Sequence, residues 1–190
     1  MKIIRTERLR LAPVTAQNSK ALWNVLQAPD LREYQDLPKV GAATFNAMVA
    51  KRPRRLGPGS IGRFEWLMYL HRHRKPMGWV SLRISGRETH SAEIGYSIVS
   101  EFRGRGFARE AVWALLQEGF MGARLDRISA YLMPDNAASR RLLQRLGFRD
   151  GGIVPKGASL GGSPVDVRVF HLNKKDWLAS ANSMEIPAFA

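Results

Sequence analysis

Apolar positions along the chain repeat with a period of two in some stretches and of three to four in others, and the alternation between the two periods predicts the order of elements. Residues 9–14, Leu-Arg-Leu-Ala-Pro-Val, read as a first strand. Thr15 then stands where it can cap a helix over residues 16–27, which Pro29 ends. Residues 31–56 predict helix in parts, broken by Pro38, Gly41 and Pro53, before the Gly57-Pro58-Gly59 loop. Residues 63–70 and 77–84 are rich in aromatic and β-branched types around a basic turn, the pattern of an antiparallel hairpin, and residues 93–99 add a third strand to that meander. A helix over residues 106–119, with Ala111, Val112, Leu115 and Leu116 as its apolar stripe, then leads to a strand at 127–132. Strand, helix and strand at this spacing predict a parallel pair joined by a right-handed crossover. A helix over 137–146 with Leu142, Leu143 and Leu146 on one face ends at Gly147, and strands near 152–156 and 165–172 complete the sheet. The expectation is one α/β domain over residues 1–180, with a mixed, mostly antiparallel sheet flanked by helices, and a weakly anchored tail at 181–190.

The junction of the third meander strand and its helix carries the chemistry. Arg103-Gly104-Arg105-Gly106-Phe107-Ala108 follows an apolar strand and opens an amphipathic helix. Glycines let backbone approach a ligand, the first N–H groups of a helix lack internal partners, and the helix dipole adds positive charge at the same place. Arg103 and Arg105 add full charges suited to phosphate. The loop has no Lys-Ser or Lys-Thr pair after its last glycine and does not follow the Gly-x-Gly-x-x-Gly spacing, so a nucleoside triphosphate or a dinucleotide is a poorer fit. The competing reading is an ordinary glycine-containing turn with surface arginines.

That loop resembles the Arg/Gln-x-x-Gly-x-Gly/Ala pyrophosphate loop of the GNAT acetyltransferases at each fixed position. Asn136-Ala137-Ala138-Ser139 through Leu146-Gly147-Phe148 is similar to a segment of the GNAT branch that acetylates ribosomal-protein N-termini. Thr6-Glu7-Arg8-Leu9-Arg10-Leu11 resembles that branch's opening strand, and Glu93-Ile94-Gly95-Tyr96 its fourth. The resemblance implies the GNAT fold, in which the parallel strands splay at their C-terminal ends around the acyl-pantetheine arm of acetyl-CoA. It further implies that backbone groups of Ile98 and Val99 pair with the pantetheine amides and that the N–H of Ile98 or of Val99 is the oxyanion donor. Arg103, Gly104, Arg105, Gly106, Phe107 and Ala108 would cradle the phosphates, and Asn136 would position the coenzyme from the other side, a role compatible with capping a helix.

Transfer of an acetyl group to an amine needs a neutral amine, a polarised carbonyl and a proton for the departing thiolate. Many GNAT enzymes take that proton from a Tyr where this chain has Leu143; the ribosomal-protein branch places a Ser near the sulfur, which corresponds to Ser139. The resemblance offers Glu93 as general base, with a structural ion pair as its competing role. The branch's other acid corresponds to Ala158, and Asp166 is a weaker substitute. His71-x-His73 is surrounded by Arg72, Arg74 and Lys75, so no metal is expected. Trp66, Trp79, Trp113 and Trp177 read as packing residues.

Composition narrows the picture. No cysteine is present, which excludes disulfides, thiolate metal sites and a cysteine acyl-enzyme, and implies direct transfer. No run of about 18 apolar residues would span a membrane, and the start does not read as a secretory signal, so a cytoplasmic protein is expected. Thirty Lys and Arg against 16 Asp and Glu give a formal net charge of +14. Clusters at residues 51–55 and 71–75 would suit a ribosomal or other RNA surface, or serve only as a solvated basic face. The expected function is acetyl-CoA-dependent N-acetylation of a primary amine, the N-terminus of a ribosomal or other protein, by a monomer or homodimer. A small-molecule or antibiotic N-acetyltransferase and a non-catalytic coenzyme A- or RNA-binding protein are the alternatives.

Overall fold

A computed structural model describes residues 1–31, 40–86 and 90–183. A single eight-stranded sheet runs β1-β2-β3-β4-β5-β6-β8-β7. Its strands are β1 (Ile4–Arg5), β2 (Leu9–Pro13), β3 (Gly62–Leu70), β4 (Gly78–Ile84), β5 (Ser91–Ile98), β6 (Arg127–Leu132), β7 (Arg149–Leu160) and β8 (Ser163–Asn173). The helices are α1 (Ser19–Leu26), α2 (Ala42–Ala50), α3 (Phe107–Gln117), α4 (Ala137–Arg145) and α5 (Lys174–Ser183).

Period two in β3 sorts its side chains onto two cores. Phe64, Trp66 and Met68 face a core shared with Ala111, Leu115 and Leu116 of α3, and Leu67 and Tyr69 face one shared with Leu22 of α1 and Phe45 and Val49 of α2. Both faces are therefore covered, and six consecutive β3 residues are buried. Leu143, Leu146 and Phe148 bring the α4 segment into the α3-side core.

Every pair in the sheet is antiparallel except β5 with β6. That parallel pair joins only Ser91 to Arg127, Ala92 to Ile128 and Glu93 to Ser129. Beyond Glu93, β5 stays registered with β4 as far as Ile98, and β6 with β8 as far as Leu132. The two strands part because each follows a different neighbour, and a bare edge opens between them.

Local details differ from expectation in three places. Thr15 does not cap α1: the helix begins at Ser19, and Asn18 Oδ1 accepts the Thr15 N–H at 2.7 Å while its Nδ2 donates to Pro13 O. Of the stretch 31–56, α2 is helical and residues 32–39 lie outside the described residues. A last helix, α5, was not expected, and its residues 181–183 extend into the expected tail; Trp177 anchors it, its ring 5.6 Å from Trp113 and 5.4 Å from Phe120. Burial of one such ring contributes about 2–3 kcal/mol, and Asp176 adds an ion pair to Arg149. Residues 184–190 of the expected tail lie outside the described residues. Among the described residues no helix is long and apolar enough to cross a membrane.

Candidate active site

The bare edge of β5 fixes which backbone groups are available. Val99 N–H donates to Met77 O at 2.9 Å, so Val99 turns its N–H toward β4. Edges alternate along an antiparallel strand, and therefore Ile98 and Tyr96 turn theirs toward the opening. Of the two residues expected to offer an oxyanion donor, Val99 has its N–H already bonded to Met77 O, and Ile98 is the one whose N–H faces the gap.

A short turn, Ser100–Phe102, carries the chain from β5 to the loop before α3. Gly104 and Gly106 adopt positive φ of 74° and 78°, a region costly for other residues. Gly106 is the residue before α3 and has no side chain to cap it. The first intrahelical bond runs from Glu110 N to Gly106 O at 3.1 Å, which leaves the amides of the preceding turn ahead of the ladder. Arg105 is exposed, its guanidinium 5.0 Å from the Phe107 ring. Arg103 folds back, its Nε donating to Ile98 O at 3.0 Å, so the loop and the strand edge expected to hold one ligand meet directly.

Across the opening, α4 begins differently. Asn136 Oδ1 accepts the Ser139 N–H at 3.0 Å, so Asn136 is a side-chain cap, and Ser139 sits in the first turn. Tyr96 reaches from β5 toward this turn. Its Oη is buried and finds no full hydrogen-bond partner among the described residues. Burial pushes the phenol up to about 12, against an opposing pull from the Ser139 hydroxyl beside it. A Tyr in that state stays a protonated, neutral phenol. Leu143, at the position of the family's usual Tyr, is fully buried and takes part in packing.

Glu93 stands on the other face of the sheet, opposite Ile94, Tyr96 and Ile98. Glu93 pairs with Arg83 at 2.6 Å, and the carboxylate is about one-third exposed. Next to it, Glu65 is buried between Arg63, at 2.8 Å, and Arg52, with which it makes a close ion pair. Burial and the neighbouring Arg63 pull Arg52 down to about 10. Arg63 is lowered mainly by burial; Glu93 opposes that shift and Arg83 adds to it. Arg63 also lies 5.8 Å over the Trp79 ring. Asp166 Oδ1 accepts the Lys156 N–H at 2.9 Å and orients the β7–β8 hairpin; Ala158 lies opposite Val165 in the same hairpin. His71 Nε2 is 3.0 Å from Thr6 O, while His73 sits edge-on to Phe102. Among the described residues no three potential ligands gather around a metal position.

Three residues beside the opening have surroundings that the sequence does not signal. Tyr96 lay inside a recognised strand without a role. Arg8 belonged to a recognised motif without a partner. Glu110, in the first turn of α3, reads from sequence as an ordinary acidic complement to the dipole; it is completely buried.

An opening between parallel strands that leads into uncapped helix amides is the arrangement expected of an acyl-coenzyme A site. A profile described as an acetyltransferase (GNAT) domain matches residues 8–149. The chain belongs to the GNAT acetyltransferase family. It is similar to the uncharacterized N-acetyltransferase YoaA of Bacillus subtilis (strain 168), 27% identical over 172 residues that cover 90% of this chain and 97% of that protein. It is also similar to the ribosomal protein uS5-alanine N-acetyltransferase of Escherichia coli (strain K12), 33% identical over 88 residues, 46% of this chain and 45% of that one. Among solved structures, the ribosomal-protein-S5-alanine acetyltransferase of Vibrio fischeri shares the fold with a TM-score of 0.80 at 21% identity, covering 93% of this chain and 99% of that one. A RimL ribosomal L7/L12 α-N-protein acetyltransferase in complex with coenzyme A gives 0.77 at 19% identity, covering 90% and 98%. This GNAT protein is thus an N-acetyltransferase of a family that uses acetyl-CoA.

Proposed function

We propose that this GNAT protein binds acetyl-CoA in the β5–β6 opening and acetylates the α-amine of a protein N-terminus, of a ribosomal or other protein, by direct transfer. One observation carries the reading: the strand edge bared beyond Glu93 runs directly into the uncapped first turn of α3. An amide-containing arm can add to that edge as a further strand would. Its phosphates then meet the amides of Gly104 to Ala108, the helix dipole and the charges of Arg103 and Arg105. The coenzyme supplies an activated acyl carbonyl and a thiolate leaving group.

The chain's own groups cover the rest. The Ile98 N–H faces the gap and polarises the acyl carbonyl. Ser139 Oγ donates a proton to the departing sulfur and regains one from solvent, its turn held by Asn136. Glu93, held by the Arg83 guanidinium at 2.6 Å, takes the proton released by the amine through intervening water. Without any cysteine the chain has no thiol for a thioester intermediate, in keeping with direct attack.

Charge on the Glu93 face favours a peptide acceptor. Each carboxylate there already has a guanidinium partner, and Arg52, Arg63 and Arg83 outnumber Glu65 and Glu93. Polyamines and aminoglycosides would bring several positive charges to a face with no unmatched carboxylate among these groups. A peptide end brings one amine, which must be neutral before it attacks. The names of the uS5- and L7/L12-modifying relatives point the same way. The test is acceptor-dependent thiol release from acetyl-CoA across N-terminal peptides, polyamines and aminoglycosides, with acetyl-CoA binding as control. Release with peptides is expected; release only with polycations would overturn the acceptor, and binding without release to any of them would favour a non-catalytic role.

A further inference from the structure

Beneath the phosphate-loop candidate lies a polar group of side chains that the transfer chemistry does not use. Glu110 projects from the first turn of α3 into the α3–sheet interface and is 0% exposed. Its Oε1 accepts from Thr6 Oγ1 at 2.5 Å and from the Arg8 N–H at 2.9 Å, and its Oε2 accepts from Arg8 Nε at 2.7 Å. Arg8 Nη1 reaches on to Arg105 O at 3.2 Å, a carbonyl of the loop itself. The guanidinium lies 4.7 Å over the ring of Phe107, the first residue of α3. Its Nη2 is buried, finds no hydrogen-bond partner among the described residues, and stands 3.2 Å from where a Cβ on Gly106 would be.

A carboxylate so placed is unusual for a helix N-terminus. An acid in the first turn ordinarily stays in water, where it complements the dipole at little cost; here it is buried and needs an ionic partner to remain so. That partner comes from a segment about a hundred residues away and continues into the loop backbone. Arg8 thus ties together a buried acid of α3, the carbonyl between the two left-handed glycines, and the aromatic ring that starts the helix. Side chains that merely docked β2 on α3 would have no reason to grip the loop.

We propose that Arg8 and Glu110, with Thr6, are positioning residues that hold the loop from Arg103 to Ala108 in its anion-receiving shape, so that the opening Thr-x-Arg motif sets the preference for a phosphate-bearing acyl donor. This rests on the acetyl-CoA reading and deepens it. Loop amides held in place bind phosphate without first ordering the loop, and the benefit is confined to donors that carry phosphates.

The experiment compares kcat/KM for acetyl-CoA with that for S-acetyl-pantetheine, which has the same thioester arm and no phosphate, in the wild type, Arg8→Lys, Glu110→Gln and Arg10→Gln. Arg10→Gln removes one positive charge from β2, two residues on, where the side chain stacks on Tyr69 at 4.2 Å, and controls for long-range attraction. The preference for acetyl-CoA is expected to fall about tenfold or more in Arg8→Lys and Glu110→Gln through a higher KM, and to stay near the wild-type value in Arg10→Gln. A lower melting temperature with the preference intact would overturn the proposal and leave the group a fastener between β2 and α3. Should Glu110→Gln fail to fold, Thr6→Val removes one bond to the same carboxylate with little change in volume and must lower the preference in the same direction. A wild type indifferent to the phosphates would overturn the acetyl-CoA reading itself, an outcome distinct from variants that keep a wild-type preference.

Discussion

The two helices that begin at the mouth of the β5–β6 opening are finished in opposite ways. At α4, Asn136 closes the first turn by accepting the Ser139 N–H. At α3, Gly106 precedes the helix with no side chain at all, and the charged group below it reaches the loop carbonyl at Arg105 and leaves the leading amides alone. A capped end is stable by itself; an uncapped one becomes favourable when an anion supplies the missing acceptors. Under the proposed function the pair of ends separates two tasks, with α3 receiving charge and α4 holding a hydroxyl still.

That division can be broken from either side. The largest effect is expected at Ser139: if α4 presents a proton donor, Ser139→Ala lowers kcat about a hundredfold and leaves acetyl-CoA binding much less affected, as measured by steady-state kinetics and calorimetry. An unchanged kcat would remove the donor role. Next in size, Gly106→Val forces a β-branched residue into a positive φ at a cost of about 2 kcal/mol, roughly thirtyfold. The loss should appear as weaker acetyl-CoA binding, with kcat at saturation reduced far less. Asn136→Ala removes the cap at α4 and lowers stability by about 1 kcal/mol, read from denaturant unfolding.

The smallest effect lies at the closed end of the pair, where Ser129 Oγ and His171 Nδ1 are 2.8 Å apart. Burial, aided by Arg127, holds His171 below its ordinary value of 6.5. The unfolded chain then binds the proton more readily, so this contribution is complete above pH 6.5 and is lost as pH falls through the folded value. A melting temperature that rises with pH across this acidic window, and a flatter profile in His171→Gln, are expected.

Much of the scaffold was legible in the sequence because its cause is local. Residues 127–132 form β6 as predicted, the β3–β4 hairpin falls within a residue of its expected limits, and the loop at Gly104 and Gly106 has the backbone shape its glycines imply. α5 was missed because its sequence has only a weak apolar stripe; Trp177 supplies the anchor from one side chain, and periodicity does not register a single residue. The Thr15 cap failed for a related reason. Asn18, three residues on, accepts the N–H of Thr15 itself, and the helix starts only at Ser19.

What the sequence determined by itself was the order of most elements, the parallel pair, the Arg-Gly loop motif and the family resemblance, since each depends on residues adjacent along the chain. Tertiary structure decided which groups are available. It turned Val99 N–H toward Met77 and Ile98 toward the gap, paired Glu93 with Arg83, brought Tyr96 beside Ser139, and buried Glu110 beneath its loop with Arg8. Those facts depend on strand register and on contacts between segments distant in sequence, where a shift of one residue would reverse which edge or face each group presents.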